Sequence, residues 1–171
     1  MIREAGTSDL DALVELNLHV QRLHVEDEPE RFVEPSREAV AAWLSERLVQ
    51  EGWRALVAES DGRCTGYVLF ELIDHPVGTF TAAMRALYIH QIGVDPGVRR
   101  RGIGRALVRA VEREAAELAV QQVALDTWSF NTSAQAFFTG CGYEVYNVRL
   151  RRRLPSRGAD ESVGQARPKL P

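Results

Sequence analysis

The chain has 171 residues, 45% of them hydrophobic and 26% charged, with a formal net charge of -3 at pH 7. That length suits one domain burying roughly two thirds of its unfolded surface, and the negative charge argues against non-specific nucleic-acid binding by the whole domain. No apolar run approaches the ~20 residues of a membrane span and the N-terminus has no signal-like apolar core, while Cys64 and Cys141 lack ligand-like spacing to any His, so a cytoplasmic, reduced protein with no metal and no membrane partner is expected.

Residues 2–5 read as an edge strand, and Thr7, Ser8 and Asp9 as a helix cap. Leu10, Leu13, Val14 and Leu18 recur at helical spacing, which predicts a first helix to about residue 25. Residues 26–38 hold six acids (Glu26, Asp27, Glu28, Glu30, Glu34 and Glu38) against Arg31 and Arg37, broken by Pro29 and Pro35, and are expected to form a loop. Ser36 caps a second helix with Val40, Trp43, Leu44 and Leu48 as its stripe and Gly52 as its terminator. Two strands are predicted over 53–59 and 63–73, joined by Asp61-Gly62, a two-residue hairpin signal. After a loop over 74–81, residues 84–94 predict a fourth strand.

The next helix carries Ile103, Ala106, Leu107, Ala110, Val111, Ala115 and Leu118 on one face and Arg105, Arg109, Arg113 and Glu117 on the other. Residues 121–127 predict a buried strand, 131–139 a short helix and 142–154 a last strand. The tail from Pro155, rich in Pro, Gly and Arg, is expected to be disordered. This order describes one mixed α/β domain over residues 1–154, with antiparallel first strands and a late crossover.

The chemistry concentrates between Tyr88 and Arg109. An apolar strand ends at Val94, Asp95-Pro96-Gly97 breaks it, and Arg99-Arg100-Arg101-Gly102-Ile103-Gly104-Arg105 opens the long helix. Orphan amides at a helix start, its dipole and nearby arginines make an anion site. Gly102 and Gly104 would let a polyphosphate approach the backbone. A P-loop is excluded, because Ile103-Gly104 follows Gly102 where Lys-Ser/Thr is required. A dinucleotide fingerprint is excluded by Leu107 where its third glycine belongs.

Arg99-x-x-Gly102-x-Gly104, with its lead-in Ile92-Gly93-Val94-Asp95-Pro96, resembles the cofactor loop of the GNAT superfamily of acyl-CoA-dependent N-acetyltransferases. A second segment, Asn131-x-x-Ala134-x-x-Phe137-Phe138-x-x-x-Gly142-Tyr143, is similar to that family's downstream signature. The resemblance covers residues 1 to about 153. It implies a GNAT fold, a mixed and mostly antiparallel central sheet flanked by helices and splayed at the fourth strand. It also implies transfer of an acetyl group from acetyl-CoA to an amine of a small molecule or peptide, and a possible homodimer.

By that resemblance the amides over residues 101–105 hold the pyrophosphate, helped by Arg99, Arg100, Arg101 and Arg105. The backbone at Ile92 and Val94, beside Gly93, bonds the pantetheine arm, and Asn131 reaches the same arm or simply caps its helix. The Ile92 amide is a candidate for stabilising an oxyanion. An alkylamine with a pKa near ~10.4 must lose a proton before it attacks, and His90 stands where many relatives carry a glutamate base. A strand histidine can also be purely structural, with Glu71 and Asp126 as alternatives. The family's tyrosine acid is replaced by Phe138, leaving Tyr143 or Tyr88 as substitutes and raising a rival reading as a catalytically impaired CoA-binding sensor. The acids of 26–38 would attract a cationic amine, unless they are merely a solvated loop. Arg149, Arg151, Arg152, Arg153 and Arg157 would be needed for nucleic-acid binding, which is not expected.

Overall fold

The computed structural model describes residues 1–154. Its elements are β1 (Ile2–Glu4), a 3-10 turn (Thr7–Asp9), α1 (Leu10–Asp27), α2 (Arg37–Val49), β2 (Trp53–Ser60), β3 (Arg63–His75), β4 (Met84–Val94), a second 3-10 turn (Pro96–Val98), α3 (Ile103–Glu117), β5 (Val123–Leu125) and α4 (Thr132–Gly140). The five strands form one sheet in chain order, antiparallel throughout except for the parallel β4–β5 pair.

Alternation along the strands divides two cores. Leu56, Ala58, Val68, Phe70, Leu87 and Ile89 meet Leu107, Ala110, Val111 and Ala115 of α3. Ala55, Val57, Tyr67 and Leu69 point to the other face, where Leu13, Val14 and Leu16 of α1 and Val40 and Leu44 of α2 cover them. Each fully buried Leu or Val is worth about 1.5–3 kcal/mol relative to exposure, so both layers are held by the periodicities visible in the sequence.

Local chemistry sets the joints. Asp61 and Gly62 both take positive φ (52° and 72°), as a two-residue hairpin demands. Ser36 caps α2 by accepting the Ala39 amide at 3.1 Å. Asp9 is buried and receives both Arg3 nitrogens at 2.8 Å, which ties β1 to the start of α1. The Arg3 guanidinium holds this carboxyl below the usual carboxylate range.

Three boundaries differ from the sequence reading. α1 continues through Asp27, so Glu26 and Asp27 are helical. β5 is three residues long, shorter than the expected 121–127. Residues 144–154 take no regular secondary structure and lie in no sheet, although their alternating pattern predicts a last strand. A strand needs ladder hydrogen bonds to a neighbouring edge, and this segment pairs with no strand among the described residues, although Tyr146 and Arg149 come near Tyr88 of β4. The expected disordered tail from Pro155 lies outside the described residues.

Candidate active site

The β3–β4 ladder contains one mismatch. Leu69 pairs with Gln91 and Phe70 with Ile89, leaving His90 without a partner. This bulge turns two consecutive side chains, His90 and Gln91, toward the face covered by α1 and α2. On the other edge β4 pairs with β5 only at residues 87–89. From His90 to Val94 that edge is open, which is the splay expected of the fourth strand.

His90 is held on three sides. Its Nε2 lies 2.9 Å from Glu71 Oε2, its ring stacks on Trp53 at 4.2 Å between centroids, and Tyr88 meets it edge-on at 4.9 Å. An ionised carboxylate only accepts, so Nε2 is the donor of this hydrogen bond and Nδ1 is the ring nitrogen left over. The two residues read from sequence as alternative bases are therefore one pair. Burial, and secondly the Asp126 carboxylate, push the Tyr88 phenol above its ordinary value, so Asp126 acts on Tyr88.

Gln91 is fixed from within. Its Oε1 accepts from the Tyr67 hydroxyl at 3.0 Å and from Asn17 Nδ2, and Asn17 also donates to the Tyr67 oxygen at 2.9 Å. Tyr67 is 0% and Asn17 2% exposed, so each polar atom needs the others. Outside this network a cleft of about 210 Å³ opens between α1, α2 and the bulge, with Gln21, Val33, Pro35, Ala39, Trp43 and Gln91 in its wall. The named wall is apolar with amide groups and carries no charged side chain.

The loop after β4 begins with Asp95, whose Oδ1 accepts the Gly97 amide at 2.8 Å. Arg100 (φ 62°) and Gly102 (φ 81°) are left-handed. Gly102 leads straight into α3, and no side chain caps that helix. Its first amides, at Ile103, Gly104 and Arg105, have no intrahelical acceptor. Alternating handedness makes a concave run of donors that suits a phosphate. A Cβ on Gly102 would meet nothing within 4 Å, so the glycine is needed for its dihedral and the space before it is open. Arg100 and Arg101 are exposed beside it, whereas Arg99 turns back to donate Nε to the Val94 carbonyl at 3.3 Å.

Two glycines answer to other neighbours than the sequence suggested. A Cβ on Gly104 would stand 3.2 Å from Phe137 Cζ, so Gly104 admits α4 against α3. A Cβ on Gly93 would stand 2.7 Å from Tyr67 Cε1 and 3.3 Å from Val20 Cγ2. Gly93 is thus explained by packing inside the chain.

At the start of α4, Asn131 accepts the Ala134 amide at 3.1 Å, the helix-cap geometry. Phe138 is 6% exposed and packs against Phe137 and Tyr143 at 5.0 and 5.5 Å. The Tyr143 hydroxyl is buried and unpartnered among the described residues. Burial first, and then Glu112 of α3, raise its pKa. Glu112 belongs to the helix on the far face of the sheet, so Tyr143 is not brought together with His90. Tyr88 is.

The two charge runs of the sequence meet each other. Glu28 pairs with Arg151, Glu30 with Arg153 and Glu34 with Arg22. Phe32 of the same loop stacks on His24 at 5.1 Å and meets the edge of Trp128 at 5.2 Å. Arg157 lies outside the described residues. Three of the six carboxylates expected to draw a cationic acceptor, Glu28, Glu30 and Glu34, and two of the arginines needed for nucleic acid are engaged within the chain.

Sequence reasoning passed over Trp53, Gln91 and Asn17. Asn17 was visible in principle, since it follows Val14 by three residues on the buried stripe of α1; a bulge leaves no local signal for Gln91.

The chain matches the acetyltransferase (GNAT) family over residues 17–143, a span that contains the bulge, the glycine loop and α4. Human N-acetyltransferase 8 is 34% identical over 103 residues, 60% of this chain and 42% of that protein. An uncharacterized N-acetyltransferase of Bacillus subtilis (strain 168), YdgE, is 25% identical over 67 residues, 39% of this chain and 43% of that one. The matched regions thus span less than half of each curated relative. A tetramutant of the BH1408 protein of Bacillus halodurans superposes with a TM-score of 0.85 at 24% identity, covering 90% of this chain and 99% of that chain. The aminoglycoside N-acetyltransferase AAC(6')-Iy in complex with CoA gives 0.72 at 22% identity, covering 90% and 93%. Both structural likenesses are likenesses of fold, and the sequence match spans the fold and the site together: the chain belongs to the acetyltransferase (GNAT) family.

Proposed function

We propose that the protein is an acetyl-CoA-dependent N-acetyltransferase that acylates a primary amine of a small molecule or peptide by direct attack. The observation that carries this reading is a juxtaposition on β4: a bulge that aims His90 at the α1/α2 face, followed within one loop by the unsatisfied amides of Ile103, Gly104 and Arg105. The names of the relatives favour it, since one is called N-acetyltransferase 8 and another acetyltransferase was solved with CoA.

In this reading the amides over residues 101–105, with Arg100 and Arg101, hold the pyrophosphate. The open edge of β4 at Ile92 and Val94 takes the pantetheine arm, and Asn131 and Phe138 flank it. Bound acetyl-CoA supplies an acyl carbon whose leaving thiol has a pKa near ~8.5, fair even without a tyrosine acid. His90 removes the amine proton at Nδ1, and Glu71 stabilises the resulting imidazolium through Nε2. In the same reading the Ile92 amide donates to the oxygen on which charge develops. The cleft beside Gln91 orients the acceptor. A cytoplasmic location agrees with the free thiols of Cys64 and Cys141, and no described helix is long and apolar enough to cross a membrane.

Release of CoA thiol against a panel of primary amines tests the proposal. Turnover with at least one amine is expected; measurable acetyl-CoA binding without turnover on any amine overturns it. Phe138 favours a second reading, a CoA-binding sensor with impaired chemistry. Phe138→Tyr separates the two, because a large gain in turnover supports impairment and an unchanged rate supports Tyr88 or solvent as the acid.

A further inference from the structure

The triangle of Asn17, Tyr67 and Gln91 uses one half of each amide and leaves the other. Asn17 Nδ2 donates to the Tyr67 oxygen and to Gln91 Oε1, and the Tyr67 hydroxyl gives its one proton to that same Oε1 at 3.0 Å. Both protons of the Asn17 amide and both lone pairs of the Gln91 carbonyl are then spent. Asn17 Oδ1 and Gln91 Nε2 take no part in the triangle. Neither atom is sealed off from solvent, so both open on the cleft of about 210 Å³ that their residues line. Turning the two amides over reverses every bond of the triangle and still leaves one donor and one acceptor for the cleft.

A donor beside an acceptor is the complement of an amide group, whose carbonyl accepts from the one and whose N–H donates to the other. A carboxylate has nothing to donate, and the wall holds no cation to pair with it. The rest of the wall includes Val33, Pro35, Ala39 and Trp43, which suit an apolar side chain. His90 precedes Gln91, and the bulge turns both toward this face. An amide bound at Gln91 therefore leaves the His90 side of the cleft for an amine two bonds away.

Resting on the acetyl-transfer reading above, we propose that the acceptor is an α-amino amide with an apolar side chain: its amine meets His90, its amide is read by Gln91 and Asn17, and its side chain lies against Trp43 and Pro35. The N-terminal residue of a peptide and a free amino-acid amide share this chemistry. An α-amine has a pKa near ~7.7–8.0 against ~10.4 for an alkylamine, so more of such an acceptor arrives unprotonated. Gln91 and Asn17 are then specificity-determining residues, held in place by the Tyr67 hydroxyl.

Steady-state acetyl transfer to leucinamide, leucylglycinamide, leucine methyl ester and leucine tests the assignment, with rates compared per unprotonated amine. The ester keeps the carbonyl but has no N–H, so it isolates the contact to Asn17. kcat/KM for the better amide should exceed that for the ester about three- to tenfold, the usual worth of one hydrogen bond, and that for leucine by more. Whichever amide is better identifies a free amide or a peptide as the source. Gln91→Glu keeps an oxygen for Tyr67 and Asn17 but replaces the outward donor, and should raise the KM for leucinamide at least threefold. An ester or leucine that matches the amides, or an unchanged KM in Gln91→Glu, overturns the assignment while acetyl transfer stands. If no amine turns over, calorimetric titration of leucinamide into the CoA complex decides. Binding weakened by Gln91→Glu supports the amide site and overturns the transfer reading alone, whereas no binding overturns the amide site as well.

Discussion

The His90 imidazole reaches the Glu71 carboxylate at 2.9 Å across the β3–β4 ladder, from a position that pairs with no residue of β3. Glu71 itself pairs with Tyr88, so the bulge lets a diagonal neighbour become a hydrogen-bond partner. If this pair moves the proton, His90→Ala should lower kcat/KM by about 10²–10³, within the usual range for a general base. Glu71→Gln keeps an acceptor but removes the charge that stabilises imidazolium, and should cost about tenfold. Steady-state kinetics with calorimetric acetyl-CoA binding checks both, and the binding constant should not change. Retention of wild-type turnover by His90→Ala would remove it from the chemistry.

The glycine loop makes a separate prediction. Gly102 sits at φ 81° with open space beyond it, so Gly102→Val meets a dihedral penalty of about 1–2 kcal/mol rather than a clash. The backbone should relax away from the concave form and acetyl-CoA affinity should fall at least tenfold. Arg100, at φ 62°, tests the opposite sense: Arg100→Gly removes strain and one charge while leaving the donor run intact, so affinity should fall far less. Titration calorimetry compares the two.

Gly93→Ala places a methyl 2.7 Å from Tyr67 Cε1. Overpacking of this kind costs about 1–3 kcal/mol, or about 3–10 °C in Tm for a domain of this size. Differential scanning calorimetry reads the shift. An unchanged Tm would mean that the Tyr67 ring yields freely, contrary to its complete burial.

Acid should loosen the α1/α2 side of the cleft. Burial lowers the His24 pKa below the ordinary imidazole value, and Asp27 opposes this only in part. A histidine whose folded pKa lies below its unfolded value of ~6.5 contributes stability above that pH and loses it as pH falls toward the folded value. His24→Phe, which keeps an aromatic ring against Phe32, should therefore flatten the decline of Tm between about pH 7 and pH 5. Paired thermal melts across that range check it.

The contrast between what could be read and what could not follows the range of the interactions. The glycine loop was legible because its signal is local: Asp95 turns the chain, Gly102 supplies a left-handed residue and α3 begins at once. The helices and the β2–β3 hairpin were legible for the same reason. Gly93 and Gly104 read from sequence as positions of close ligand approach because their packing neighbours, Tyr67 and Phe137, are distant in sequence. His90 and Glu71 were recognised singly, but their pairing depends on a ladder mismatch that no residue type announces. The segment after Tyr143 was read as a strand from its alternation, and alternation says nothing about where the neighbouring edge comes from.

The hydrogen-bonded group Asn17, Tyr67 and Gln91, with Gly93 beneath the Tyr67 ring, links four positions that change only at one another's expense. Along a lineage they form one heritable unit: a side chain can enter at 93 only where 67 has become smaller, and a smaller residue at 67 withdraws the hydroxyl that serves both amides. Descendants of this sequence should therefore vary at these four sites together or hold all four still, while the exposed arginines around Gly102 drift one by one.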